Sequence, residues 1–195
     1  MASYIMVIKT NMCTGCQTCS VACKMENLTM PGCDRTVIRE RVDATWEVGM
    51  CMQCENPPCV PPCPVQATFK NDKGIIVVDQ DKCIGCGRCI EACPYGARHM
   101  NPEKGYFTPP LPYEGAAAKA RETHRRHVSG KVDKCDWCLH RVSAKKPPMC
   151  VEACTTLARV FGDSDDPKSE VARLLKTGAK PLKPELGTKP KVYYV

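Results

Sequence analysis

The sequence predicts a small α+β protein made of two similar halves and cross-linked by bound metal in place of a large apolar core. Three observations point there. Seventeen of the 195 residues are cysteine while aromatic side chains make up only 6%, so something other than large apolar groups must staple the interior. Sixteen of those cysteines fall into four groups of four with short gaps. Thiolates that converge on one metal centre have to come from such tight loops, whereas disulfides tend to be spread along a chain. Finally, the stretch 5–23 recurs 70 residues later as 75–93, an internal repeat of strand, cysteine loop and helix start.

The repeat is sharpest at 82–95, KCIGCGRCIEACPY, with the spacing Cys83-x2-Cys86-x2-Cys89-x3-Cys93-Pro94. That is the bacterial ferredoxin run, in which three cysteines wrap one 4Fe–4S cubane and the fourth ligates a neighbouring one. A motif whose fourth ligand belongs elsewhere requires a partner motif. The expected fold is therefore two pseudo-repeated ferredoxin-like two-cluster modules, with short β-hairpins, short helices and an extended C-terminal tail. One module takes 1–49 with 131–162 and the other 50–98. Residues 99–130 form an insertion loop and basic helix, and 163–195 a C-terminal helix and tail.

Taken in order, YIMVIK at 4–9 reads as a strand, followed by the first group, Cys13-x2-Cys16-x2-Cys19-x3-Cys23. Gly15 and Gly85 coincide in the repeat, placed where backbone must pass close to a cluster with no Cβ in the way. A strand is expected around 36–42, and Cys33 stands alone as a free thiol. The second group is Cys51-x2-Cys54-x4-Cys59-x3-Cys63-Pro64, and its five prolines between 57 and 64 hold the loop extended. A hairpin follows, with strands at 67–70 and 75–79 and a turn at 71–74, leading into the third group. Residues 99–115, rich in Pro, Gly and Tyr, read as loop; 115–127 has helical composition and a basic end, expected to be a solvated face. The fourth group is Cys135-x2-Cys138-x11-Cys150-x3-Cys154, with a strand at 158–161, a helix at 168–176, and a tail expected to clamp over the domain or onto a neighbour.

The crossover rule then divides the thiols into four sets. Cys51, Cys54 and Cys59 share a cluster with Cys93, and Cys83, Cys86 and Cys89 share one with Cys63. In the outer pair, Cys13, Cys16 and Cys19 join Cys154, and Cys135, Cys138 and Cys150 join Cys23. Because Cys86 fills the position whose absence would give a 3Fe–4S centre, all four cofactors are expected to be 4Fe–4S. Zinc is the alternative occupant, but the crowded four-thiolate run suits an iron–sulfur cube better than two well-separated CxxC pairs. Trp137 is expected to shield a cluster from water. His140 could donate to a cluster sulfur and tune its potential, although a structural role is preferred.

The formal charge of +7 invites a polyanion partner, but four oxidised cubanes with their thiolates contribute about −8, leaving the loaded chain near neutrality and nucleic acid without support. No apolar run approaches the eighteen residues of a membrane span, and MASYIMVIKTNMC has no charged n-region, long h-region or twin-arginine pair, so no signal peptide is expected. No nucleophile beside a base, phosphate loop or paired carboxylates stands out. The chain is expected not to be an enzyme on its own.

CTGCQTCSVACKMEN, CMQCENPPCVPPCP, CIGCGRCIEACPYGAR, and KCDWCLHRV with PMCVEAC, in this order, closely resemble the iron–sulfur electron-transfer subunit of the molybdopterin oxidoreductase (dimethyl sulfoxide reductase) family. The likeness extends through ARVFGDSDDP and KPELGTKPKVYY, towards the polysulfide, arsenate and transhydroxylase branches. It departs at Lys24 and Thr155, where proline is expected after the fourth cysteine. The resemblance implies docking to a large catalytic subunit holding a molybdenum or tungsten bis-pterin. Single electrons would pass between that metal and a membrane quinone subunit or another carrier, with the set Cys63, Cys83, Cys86 and Cys89 towards the quinone side. It also implies a peripheral location, either periplasmic by export with the catalytic subunit or cytoplasmic. A stand-alone polyferredoxin is the alternative function.

Overall fold

The computed structural model describes residues 3–30, 32–102, 112, 115 and 128–195. Its largest sheet has four strands in the order β8-β1-β10-β9, formed by β1 (Tyr4–Ile8), β8 (Arg159–Asp163), β9 (Lys180–Pro181) and β10 (Val192–Tyr194). β1 is antiparallel to β8 and parallel to β10. Its residues Ile5 to Ile8 are all buried, which explains a continuous apolar run in place of alternation. Among the described residues there are also three two-stranded ribbons: β2 (Thr36–Glu40) with β3 (Trp46–Met50), β4 (Thr68–Lys70) with β5 (Ile76–Val78), and β6 (Arg98–Met100) with β7 (Val132–Lys134). In the β4–β5 turn the Asn71 carboxamide oxygen accepts from the backbone N–H groups of Lys73 and Ile75, closing the loop locally.

Among the described residues these strands are accompanied by five short α-helices: α1 (Thr18–Asn27), α2 (Arg88–Glu91), α3 (Leu139–Ser143), α4 (Met149–Glu152) and α5 (Glu170–Lys176). α1 puts Cys19, Cys23 and Asn27 on one buried stripe, the i, i+4, i+8 spacing of a single helix face. α5 starts at Ser169, whose hydroxyl accepts from the Ala172 N–H, and packs Val171 against Ile5 and Val7.

One expectation is corrected. His99 and Met100, read as loop, belong to β6, paired with Asp133 and Val132; β7 is buried although two of its three residues are charged. The tail lies over the domain from within the main sheet: β10 is an interior strand, and Val192 is fully buried. Beyond the sheet, the Lys191 N–H donates to the Met52 carbonyl and the Glu55 N–H to that of Lys189, while hydrogen bonds and charge from Lys191 and Lys70 hold the Glu55 carboxyl down to about 2. The tail thus ties β1 to the second cysteine loop. β3 lies in a stretch where the sequence predicts no strand. The expected basic helix over 115–127 falls, apart from Gly115, outside the described residues. Among those described, no helix is long and apolar enough to cross a membrane.

Candidate metal centres

The main sheet, the α1 stripe and the β6–β7 ribbon bring cysteines of different groups together. Cys13, Cys16, Cys19 and Cys154 line one cavity. Cys51, Cys54, Cys59 and Cys93 line a second, and Cys63, Cys83, Cys86 and Cys89 a third. The remaining four, Cys23, Cys135, Cys138 and Cys150, are all buried and close enough for mutual electrostatic effect. Burial, then the neighbouring Cys150, pushes the Cys23 thiol up to about 12, and burial followed by Cys23 and Cys150 raises Cys135 well above its ordinary value. Each cavity draws three thiols from one sequence group and the fourth from another.

Geometry and electrostatics together suit a cluster. Twelve of the thiols border three cavities, four to each, and a 4Fe–4S cubane takes four thiolates. Burial and adjacent thiols likewise raise Cys54 to about 12, and burial raises Cys150 to about 11. Four buried thiolates in one place need cationic iron to be stable. Cys16 is the contrast. It is exposed, and hydrogen bonding to Thr18, then Thr155, lowers its thiol to about 7.

The turn after the fourth cysteine recurs in three groups. The N–H groups of Gln66, Gly96 and Leu157 donate to the carbonyls of Cys63, Cys93 and Cys154, and all three donors have positive φ. The turn therefore forms at Thr155 without the proline. After Cys23 the backbone instead continues as helix through Lys24 to Asn27. Gly15 and Gly85 also have positive φ, 68° and 70°, but the close approach that excludes a Cβ is to other protein segments: the Trp46 ring at Gly15 and the Gly130 carbonyl oxygen at Gly85.

Trp137 is 1% exposed and meets Phe161 edge to face, centroids 5.2 Å apart. His140 meets a carboxylate: its Nε2 lies 2.5 Å from Glu26 Oε1, a structural contact. Cys33 is buried, its thiol raised by burial, and lines none of the three cavities.

Several residues around the thiols escaped the sequence reading. The Asn27 amide donates to both Cys23 and Cys138 Sγ, at 3.5 and 3.6 Å. Arg98 Nη2 donates to Cys59 Sγ at 3.0 Å, and Arg159 faces Cys19 and Cys150. A signal for the two arginines exists: each stands five residues after the last cysteine of its group, Cys93 and Cys154.

Comparison with known proteins finds iron–sulfur families along the chain. Family models for a 4Fe–4S binding domain match 76–99 and 10–26, and one for a 4Fe–4S dicluster domain matches 115–164. The protein is 40% identical to a tetrathionate reductase subunit of Salmonella typhimurium, across 98% of its own length and 72% of that relative. It is 41% identical to a selenate reductase subunit of Mesobacillus selenatarsenatis, across 98% and 71%. To the arsenate respiratory reductase iron–sulfur subunit of a Shewanella species it is 36% identical, across 97% and 94%.

Proposed function

This protein belongs to the iron–sulfur electron-transfer subunits of the molybdopterin oxidoreductase family, and on that premise we propose that its four cysteine sets form one linear wire between a catalytic subunit and a second redox partner. It is a non-catalytic subunit of an oxidoreductase complex carrying 4Fe–4S clusters. Each cluster, when bound, takes up and releases one electron. The residues that hold them are Cys13, Cys16, Cys19 and Cys154; Cys23, Cys135, Cys138 and Cys150; Cys51, Cys54, Cys59 and Cys93; and Cys63, Cys83, Cys86 and Cys89. The sets pair into two ferredoxin-like modules, the first set with the second and the third with the fourth.

The observation that carries this reading is the distribution of exposure along the series. Cys16 in the first set and Cys86 in the fourth are exposed, whereas the second set is wholly buried and the third has three buried thiols. A wire needs ends that partners can reach and a middle that water cannot. Neighbouring sets also pack together: Cys19 of the first, Cys135 and Cys150 of the second and Cys51 of the third share one core cluster, and Cys59 of the third packs with Cys83 and Cys89 of the fourth, which supports the order first, second, third, fourth.

The catalytic partner inferred from family membership is a large subunit with a molybdenum or tungsten bis-pterin, and the opposite end, near Cys86, serves a quinone-linked membrane subunit or another carrier. Export with the catalytic subunit to the periplasmic side is the location that follows from that assembly. The test is anaerobic purification with a redox-titrated EPR measurement. About sixteen irons and four one-electron centres per chain, together with a large molybdenum- or tungsten-containing partner, are expected. A lone brown monomer that binds no such partner would sink the subunit reading.

A further inference from the structure

Three cationic side chains are buried among the thiols without a carboxylate. Arg98, Lys134 and Arg159 are 5%, 2% and 4% exposed, and among the described residues none has an ion pair to Asp or Glu within 4.0 Å. Arg35 shows the usual alternative: equally buried, it forms ion pairs with Asp133 and Asp136. A buried charge is costly unless something of opposite sign meets it. For Arg98 and Arg159 the anions at hand are cysteine sulfurs; the Lys134 ammonium meets two carbonyl oxygens and acts on the Cys59 thiol through its charge.

Their placement is regular. Arg98 donates through Nη2 to Cys59, in the third set, and through Nη1 to Thr68 Oγ1 at 3.3 Å; Thr68 lines the cavity of the fourth set, and the charge of Cys89, also in that set, acts on the guanidinium. Arg159 lines the cavity of the first set and faces Cys150 of the second. Lys134 Nζ donates to the carbonyl of Cys135, in the second set, at 2.8 Å and to that of Ile76, which lines the cavity of the third set. One cation therefore stands at each of the three junctions between neighbouring sets.

We propose that Arg159, Lys134 and Arg98 are potential-setting residues, each raising the reduction potentials of the two clusters that flank it. The inference rests on the ligand sets and order given above. Adding an electron makes a cluster more negative, and a fixed positive charge nearby in a medium of low polarity favours that state. Because each cation is shared, it moves its two neighbours together. Net charge and hydrogen bonds to sulfur are among the quantities that set such potentials, and Arg98 supplies both to Cys59.

The experiment is an EPR-monitored redox titration of the full chain, purified anaerobically with its iron and accompanying subunits, for wild type, Arg98→Gln, Arg159→Gln, Lys134→Gln, Arg98→Lys and the exposed control Arg39→Gln. Iron content is measured on each. Arg98→Gln should lower two of the four midpoints, each by at least a tenfold change in the reduced-to-oxidised ratio, which is about 59 mV for one electron. Arg159→Gln should lower the other two, and Lys134→Gln one from each pair. Arg98→Lys, which keeps the charge, should recover at least half of the shift; Arg39→Gln should change nothing. Unshifted midpoints at full iron content, a uniform shift of all four, or an Arg98→Lys shift as large as that of Arg98→Gln would overturn the proposal. Wild type without four clusters would instead overturn the ligand assignment on which it rests. Where a glutamine variant loses iron, the lysine variant and Arg159→Lys decide the matter.

Discussion

Replacing Arg35 by methionine removes the guanidinium that joins three separate segments next to the second cysteine set. Arg35 precedes β2 and donates bidentately to Asp133 in β7, at 2.7 and 2.8 Å. It also donates to Asp136 at 3.0 Å and to the Asn27 carboxamide oxygen at 2.9 Å. Side-chain exposure is 6% for Arg35 and 4% for Asp133, so water cannot replace the lost donors. Removing one member of a buried pair costs about 3–5 kcal/mol, because the partner's charge stays buried. For a chain of this size, at ~2–4 °C per kcal/mol, the midpoint should fall by roughly 6–20 °C. The assay is thermal unfolding of the iron-loaded protein at one fixed scan rate, since iron loss makes unfolding irreversible, with iron counted after a mild heat step. Because Asn27 holds Cys23 and Cys138, the first iron lost should come from the second set. The double variant Arg35→Met/Asp133→Leu removes both charges and should recover at least half of the loss. A fall below roughly 2 °C for Arg35→Met, corresponding to less than about 1 kcal/mol, would refute the view that this network fixes the geometry of the set.

Gly85→Ala drives a Cβ into the Gly130 carbonyl at a φ of 70°, a conformation that alone costs roughly 1–2 kcal/mol for an L residue; iron content per chain should fall, with the loss confined to the cluster held by Cys83, Cys86 and Cys89. Ser169→Ala removes the cap on α5 and should destabilise by about 1 kcal/mol, read in the same unfolding assay, with EPR midpoints unchanged because α5 holds no cysteine. Chelation of iron under reducing anaerobic conditions should abolish the cooperative transition, since sixteen thiols in four sets are the main cross-links between distant segments; a chelated chain that keeps near-wild-type circular dichroism and a sharp melt would show that the apolar core alone suffices.

The cysteine spacing carried most of what was legible in the sequence, because cluster ligation imposes its own stereochemistry on a short loop. The offset repeat, the β1 strand and the β4–β5 hairpin followed from local pattern in the same way. What stayed hidden depended on distant partners. Val132, Asp133 and Lys134 do not alternate in polarity, yet they form β7, because Asp133 meets Arg35 and Lys134 meets two carbonyls. The tail after Pro190, KVYYV, has strand-forming residues, but nothing local names the strands it pairs with. Tyr194 packs there by donating its hydroxyl to the Val48 carbonyl at 2.8 Å, a bond whose acceptor lies 146 residues away in sequence. The cations at the junctions were hidden for a related reason: a charged residue reads as surface until the structure supplies an anion beside it.

If each fourth cysteine leaves its own loop to complete a neighbour's cluster, paired alanine substitutions with iron counting will show it directly. Cys59→Ala/Cys93→Ala removes two ligands of a single cluster under the crossover assignment, so about twelve of sixteen irons should remain. Cys89→Ala/Cys93→Ala removes one ligand from each of two clusters and should leave about eight. The reverse result, with more iron retained when Cys89 and Cys93 are lost together, would mean that the run from Cys83 to Cys93 holds its own cube and would contradict the account.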